Sequence, residues 1–161
     1  MIKKLFSIGV YGKSKEDFFN LLIKYKIDTF CDIRKRRAVR GSIYSFVNSK
    51  RLQDELAKLN IKYYHLLDLA PTNEIRKIQY EFDSAHKIKM RERDTLSEKF
   101  KAAYREQILI NFDPKTFPKI FDDSAKYVVL FCVESNPNAC HRSLVLQKLK
   151  EYFKDVPVGH L

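Results

Sequence analysis

Short apolar runs alternate with amphipathic stretches along most of the chain. Residues 5–9, 28–33 and 61–67 are short runs rich in apolar or β-branched side chains, which predicts three strands. Apolar residues recur at helical spacing after the first two runs, and Ser14 and Ser49 stand where those helices would begin. The order strand, helix, strand, helix, strand favours parallel strands joined by right-handed crossovers.

The last third of the chain continues this alternation. Residues 127–133 form an unbroken apolar run, which is typical of a central parallel strand covered on both faces. Asn136 is a candidate cap for the next helix, Pro137 suits its first position, and residues 156–161 are predicted as the last strand. The pattern predicts an α/β fold: one three-layer, Rossmann-like domain with a mainly parallel sheet.

Residues 72–123 have a different character, because they are charge-rich and helical. Thr72 is the candidate cap of one helix, and Thr95 with Glu98 has the spacing of a capping box before a second. We interpret this segment, the helical insert, as a helical pair within a single domain spanning residues 1–161. It either covers a site as a lid or completes the core.

Charge adds a bias towards anionic partners. The formal net charge is +11, from 31 Lys plus Arg against 20 Asp plus Glu, which favours nucleotides, nucleic acid or other phosphate-bearing ligands. Lysine spread along solvated helix faces is the alternative explanation. Residues 34–40, the basic loop, are richer in arginine, whose planar guanidinium suits bidentate phosphate binding.

The cysteines and the apolar runs indicate the compartment. Three cysteines in a chain of this size are typical of reduced thiols, and no apolar run is long enough for a signal peptide or a membrane span. We therefore expect a cytoplasmic protein without a membrane partner. Cys31, Cys132, Cys140 and His141 lack the closely spaced pairs of structural zinc sites, so we expect no metal and no cofactor.

Candidate chemistry concentrates in residues 127–142. Cys132 and Glu134 end the predicted central strand, where ligands bind in parallel sheets. Cys140 and His141 open the following helix, whose N-terminus favours a thiolate. We predict these four residues as catalytic, although the thiols and the imidazole can also be explained by packing. Arg142, which follows them, is predicted to bind an anionic ligand.

The second strand supplies a matching pair. Asp32 and Arg34 lie two positions apart and so project from one face of the strand beside the basic loop. We predict that both bind ligand. The alternative is a structural ion pair, in which Arg34 or Arg142 compensates the aspartate.

Five short motifs together carry a family resemblance. They are Asp32-x-Arg34, Tyr64-His65-Leu66, Cys132-x-Glu134, Pro137 and Cys140-His141-Arg142. The pattern resembles the widespread bacterial and archaeal family named domain of unknown function 488, or DUF488. The resemblance implies a single α/β domain with these residues around a pocket, and it implies no reaction. Rhodanese-like sulfurtransferases are similar in layout, and that similarity implies Cys132 as nucleophile.

Three classes of function remain. The first is a pocket at the carboxyl ends of the strands that binds an anionic, phosphate-bearing or nucleotide-like ligand, with cysteine-dependent chemistry. The second is a nucleic-acid-binding module that uses the basic loop. The third is a sensor with the same pocket and no turnover. The sequence defines no oligomeric state.

Overall fold

The sheet contains five strands, all parallel. The structure is a computed structural model that describes residues 1–161. The strands are β1 (Lys4–Ile8), β2 (Thr29–Asp32), β3 (Lys62–His65), β4 (Tyr127–Phe131) and β5 (Val158–His160). Their order across the sheet is β3-β2-β4-β1-β5, so β4 lies at the centre, as its unbroken apolar run predicts.

Five α-helices connect and cover these strands. They are α1 (Lys15–Lys24), α2 (Ser49–Lys58), α3 (Asn73–Ala85), α4 (Glu98–Gln107) and α5 (His141–Tyr152). Ser14 caps α1 by accepting from the Asp17 N–H, and Thr72 caps α3 by accepting from the Ile75 N–H, which confirms both predicted caps. None of the helices combines the length and the apolar character needed to span a lipid bilayer.

Successive side chains of each strand point to opposite faces of the sheet, and each face is covered by its own hydrophobic core. Leu130 and Cys132 pack with α3, α4 and α5, whereas Val129 and Phe131 pack with α1 and α2. The α/β fold with Rossmann-like layers is therefore confirmed. The predicted helical pair is present as α3 and α4, whose buried side chains join the first core. That residues 1–161 fold as one unit stays a prediction.

Two helices begin later than predicted. Ser97, not Thr95, caps α4, because its extended backbone lets the hydroxyl accept from the Phe100 N–H. Pro137 opens only a short 3-10 turn, and Cys140 follows in an extended conformation that prevents one continuous helix. The α-helix α5 therefore begins at His141, with Cys140 as its N-cap.

Gly9, just after β1, lies where the backbone is closely packed at this end of the sheet. A Cβ there would overlap the carbonyl oxygen of Glu134 and stand 2.8 Å from its carbonyl carbon. We expect Gly9→Ala to lower the free energy of unfolding by roughly 2 kcal/mol or more in guanidinium titrations, because backbone must move.

Gly159→Ala is the matched control. Its Cβ would stand 3.3 Å from the Phe6 ring, which needs to move by only a few tenths of an ångström, so we expect a loss of about 1 kcal/mol or less. Equal losses in the two variants would contradict the packing described for Gly9.

Candidate functional site

Residues 132–140, the thiol loop, join the carboxyl end of β4 to the start of α5. Cys132 follows β4 directly, and its N–H donates to the carbonyl of Ile8 in the neighbouring strand β1. The 3-10 turn then brings the chain back to Cys140 at the N-cap of α5. The side-chain ligand atoms of Cys132, Cys140 and His141 lie within 4.8 Å of one another. The predicted catalytic thiols and imidazole are thus neighbours in space.

The imidazole of His141 is oriented by the main chain. Its Nε2 lies 3.0 Å from the carbonyl oxygen of Ile33, and its Nδ1 lies 3.7 Å from the Sγ of Cys140. A carbonyl only accepts, so Nε2 must carry a proton. In neutral His141 the Nδ1 therefore accepts from the Cys140 thiol, and a proton transfer between them gives a thiolate beside an imidazolium.

The two thiols of the loop differ in acidity. Burial opposes a charge on Cys140, but the hydrogen bond from Cys132 and the positive charges of His141 and Arg142 outweigh it. The pKa of Cys140 is therefore held well below its ordinary value. The same hydrogen bond, together with burial, raises the pKa of Cys132. Cys140, whose Sγ contacts His141, is therefore the more acidic thiol of the two.

Glu134 is a carboxylate with an unusual proton affinity. Burial, and then the negative charge of Cys140, raise the pKa of Glu134 to about 7. Its Oε1 lies 3.9 Å from Nη1 of Arg93, whose positive charge works in the opposite direction. Glu134 can therefore give or take a proton near neutral pH.

The thiol loop lines a cavity of about 480 Å³. The basic loop and the helical insert supply most of the remaining lining, and a single carboxylate, that of Glu134, takes part. The cationic lining residues are Arg34, Lys35, Arg36, Arg40, Arg76, Arg91 and Arg93. Such an excess of positive charge in a concave site attracts anions.

The insert contributes cavity residues that the sequence analysis missed. Arg91 stacks over Tyr11 at 4.7 Å, and Arg93 donates to Asp83, which also accepts from Gln79. One signal was present in the sequence: Gln79 and Asp83 follow Ile75 at four-residue steps and so share the buried side of α3. Nothing in the pattern showed which of the many exposed-type arginines would face a cavity.

Asp32 and Arg34 form a buried ion pair. Nε and Nη2 of Arg34 donate to the two carboxylate oxygens of Asp32 at 2.9 and 2.7 Å, and Nη2 also donates to the Val47 carbonyl. The hydroxyl of Tyr63 donates to the same carboxylate. Asp32 does not line the cavity, whereas Arg34 does. This pair matches the structural alternative for Asp32, while Nη1 of Arg34 is left without a hydrogen-bond partner.

Arg142 holds the thiol loop and does not line the cavity. Its guanidinium is 1% exposed and donates to the carbonyls of Glu134 and Ser135 at 2.6 and 3.0 Å, and to the hydroxyl of Ser7 at 3.3 Å. All three guanidinium nitrogens are occupied. Arg142 and Asp32 are therefore the two predicted site residues that do not line the cavity, and Arg142 instead binds the main chain of the thiol loop.

The same three side chains are the ones that can hold a metal. Cys132, Cys140 and His141 offer two sulfurs and one nitrogen, and the Nε2–H bond to Ile33 is the contact that usually orients a ligating histidine. Cys31 belongs to the core and is not part of the cluster. Three ligands suit an open site, since closed structural zinc sites use four. That the protein holds no metal stays a prediction.

Fold and site together define an α/β protein with a positively charged, thiol-containing cavity at the carboxyl ends of its parallel strands. The chain belongs to the DUF488 family, since the sequence model of the family described as "Domain of unknown function DUF488" matches residues 14–149. This confirms the family resemblance. No significant match was found among curated proteins or among solved structures.

Replacing Arg142 by lysine tests its contact with the loop. Lysine cannot present donors to Ser7 and both carbonyls together, so buried acceptors are left without partners. We expect Arg142→Lys to lower the free energy of unfolding by about 2–4 kcal/mol in denaturant titrations. Arg105→Lys, on the exposed face of α4, is the control and should change it by less than about 0.5 kcal/mol. Similar small effects of both changes would refute the role given to Arg142.

The proton affinity of Glu134 predicts a pH dependence of stability. Because its folded-state pKa of about 7 exceeds the ordinary 4.5, the folded protein binds more protons than the unfolded chain between these values. This contribution to stability is present at low pH and is lost as pH rises towards 7. The free energy of unfolding should therefore decline between pH 5 and pH 8 in the wild type. We expect Glu134→Gln to remove this decline, whereas the exposed control Glu106→Gln should retain it. Parallel curves for the wild type and Glu134→Gln would contradict the assignment.

Proposed function

We propose that the cavity is the active site of an enzyme that acts on an anionic, phosphate-bearing or nucleotide-like small molecule, with Cys140 as the nucleophile. One observation carries the proposal: a cysteine with a lowered pKa lies in the same cavity as seven cationic side chains. A thiolate supplies reactivity, and the cations supply affinity for the substrate's negative charge.

Arg34 supports an anion-binding role for the inner cavity. The side chain is 3% exposed, and its Nη1 is a buried nitrogen without a hydrogen-bond partner. Buried donors are nearly always satisfied, and the other guanidinium nitrogens are held by Asp32 and Val47. A phosphate or carboxylate oxygen of the ligand is the partner that we assign to Nη1.

Glu134 and His141 fit the proton transfers of such a reaction. His141 accepts the proton of the Cys140 thiol through Nδ1, while the Ile33 carbonyl holds its ring in place. The thiolate then attacks the electrophilic atom of the substrate, and protonated Glu134 gives its proton to the leaving group. Ionised Glu134 next takes a proton from water as the water oxygen attacks the same substrate atom, so the bond to sulfur breaks, the product leaves and the Cys140 thiolate is restored.

Acidity favours Cys140 over Cys132 as nucleophile. A sulfurtransferase of rhodanese type would use the thiol at the end of β4, but the interaction with Cys140, followed by burial, raises the pKa of Cys132. Cys140 also lies at the N-terminus of α5, where the helix dipole favours negative charge.

The position of the basic loop favours a small molecule over a nucleic acid. Lys35, Arg36 and Arg40 line the cavity together with cationic residues of the insert, so much of the charge of this loop surrounds a concave space. A nucleic-acid module would present its cations along an extended surface, with aromatic rings for stacking.

The test is a thermal-shift screen of phosphorylated metabolites and nucleotides, followed by mass spectrometry of the products. We expect at least one compound to stabilise the Cys140→Ser variant and to be converted by the wild type alone. The turnover loss in Cys140→Ser should be on the order of a thousandfold or more. Binding without turnover by the wild type would show a sensor and refute the enzyme.

Two arginines on neighbouring helices give a matched control. Arg76 lines the cavity from α3, whereas Arg105 on α4 does not. We expect Arg76→Met to weaken binding of the compound about tenfold or more and Arg105→Met to leave it within about twofold, since one lost charge-assisted contact is worth about 1.5–3 kcal/mol. Equal affinities of these two variants would place the ligand elsewhere.

A further inference from the structure

Cys132 and Cys140 form a pair of thiols at the base of the cavity. Cys132 is 8% exposed and Cys140 is 2% exposed, and both line the cavity. Their sulfurs and a nitrogen of His141 fall within 4.8 Å of one another. The two sulfurs are therefore near enough for side-chain movement to bring them to bonding distance.

The surroundings make the two cysteines chemically unequal. The Sγ of Cys140 lies 3.7 Å from Nδ1 of His141, which can take the thiol proton, whereas Cys132 makes no such contact with the imidazole. One sulfur is thus nucleophilic while the other keeps its proton beside it. Redox-active cysteines commonly combine an acidic thiol with a neighbouring thiol that resolves its oxidation product.

We propose that Cys140 and Cys132 form a reversible dithiol–disulfide couple that is oxidised by a hydroperoxide entering the cavity. This inference goes beyond the proposed enzyme activity and requires no substrate turnover. It assigns Cys140 as the attacking cysteine and Cys132 as the resolving one.

The chemistry takes two steps. The Cys140 thiolate attacks one peroxide oxygen, the O–O bond breaks, and the leaving oxygen takes up a proton to form water when the oxidant is hydrogen peroxide. The sulfenic acid on Cys140 is then attacked by the sulfur of Cys132, whose proton leaves with the departing hydroxyl as a second water. Two thiol sulfurs lose two electrons in total, and these reduce the peroxide.

The backbone favours a bond that is easily reduced. The main chain of this segment is held at several points, since Cys132 N–H donates to Ile8, Cys140 N–H donates to Pro137, and Arg142 binds the carbonyl of Glu134. A disulfide across so short a segment restricts the unfolded chain less than one across a long loop, so it adds less stability than a long-range disulfide. We therefore expect a labile couple.

Cys31 provides a control within the same molecule. Its side chain is fully buried in β2, and burial followed by the charge of Asp32 raises the pKa of its thiol well above the ordinary value. It lies outside the cluster of Cys132, Cys140 and His141. Hydrogen peroxide should leave it reduced.

The experiment treats the full chain with hydrogen peroxide after a chelator has removed any bound metal. We expect the thiol count in denaturant to fall from three to one, and the intact mass to fall by about two units, which dithiothreitol reverses. Peptide mapping should join the peptides of Cys132 and Cys140. Retention of all three thiols under conditions that oxidise free cysteine would overturn the proposal, as would a bond to Cys31 or between two chains.

Single substitutions assign the two roles, and circular dichroism confirms that each variant is folded. Cys132→Ser should accumulate a sulfenic acid on Cys140 that dimedone traps, whereas Cys140→Ser should leave Cys132 reduced. In the Cys31→Ser variant, hydrogen peroxide should still oxidise both remaining thiols. If Cys31→Ser does not fold, Cys31→Ala serves as the control in its place. Dimedone labelling of Cys132 in the Cys140→Ser variant would show that Cys132 attacks the peroxide and would refute the roles assigned to the two cysteines. A failed substrate screen would leave these results unchanged, so the two proposals fail separately.

Discussion

The buried guanidinium of Arg142 is the contact on which the arrangement of the cavity depends. It binds the carbonyls of Glu134 and Ser135 and the hydroxyl of Ser7, so one side chain joins α5, the thiol loop and β1. The loop has no regular secondary structure over residues 132–136 and would otherwise leave these carbonyls unsatisfied. Gly9 completes the arrangement, since only a residue without a side chain lets β1 approach the loop so closely.

A second polar network fixes the other part of the lining. Gln79 donates to Asp83 and accepts from the Ser97 N–H, while Arg93 pairs with Asp83 and lies near Glu134. The two helices of the insert are thereby tied to each other and to the thiol loop by satisfied buried groups, which specify one geometry. The insert thus completes the core and also lines the cavity, while its action as a lid stays a prediction.

Much of the fold follows from local rules that the sequence displays. The apolar run 127–133 marks the central strand, and Ser14 and Thr72 mark helix starts. The prediction that α5 begins at Pro137 was wrong, because proline at this position favours a 3-10 turn as well as an α-helix. The extended backbone of Cys140 ends that turn, and the sequence does not reveal it. Helix boundaries depend on such local backbone choices, which residue type alone leaves open.

The site was predictable to the level of its thiol loop and no further. Strand ends and a helix N-terminus brought Cys132, Glu134, Cys140 and His141 together, as parallel topology requires. Arg34 lines the cavity and Arg142 does not. This difference depends on which hydrogen-bond acceptors surround each guanidinium, and several of those acceptors lie far away in sequence. Charged residues of the insert carry no periodic signal, so Arg76, Arg91 and Arg93 could be placed only by packing.

The graded exposure of the cavity cations has a consequence for the kinetics of the anion binding proposed above. Lys35, Arg36 and Arg40 are exposed and act on an approaching anion from a distance, so they raise its association rate and lose this effect as salt screens them. Arg34 is buried and meets the anion only after water has left, so its contribution appears in the residence time. Ionic strength should thus slow the arrival of a ligand far more than it hastens its departure.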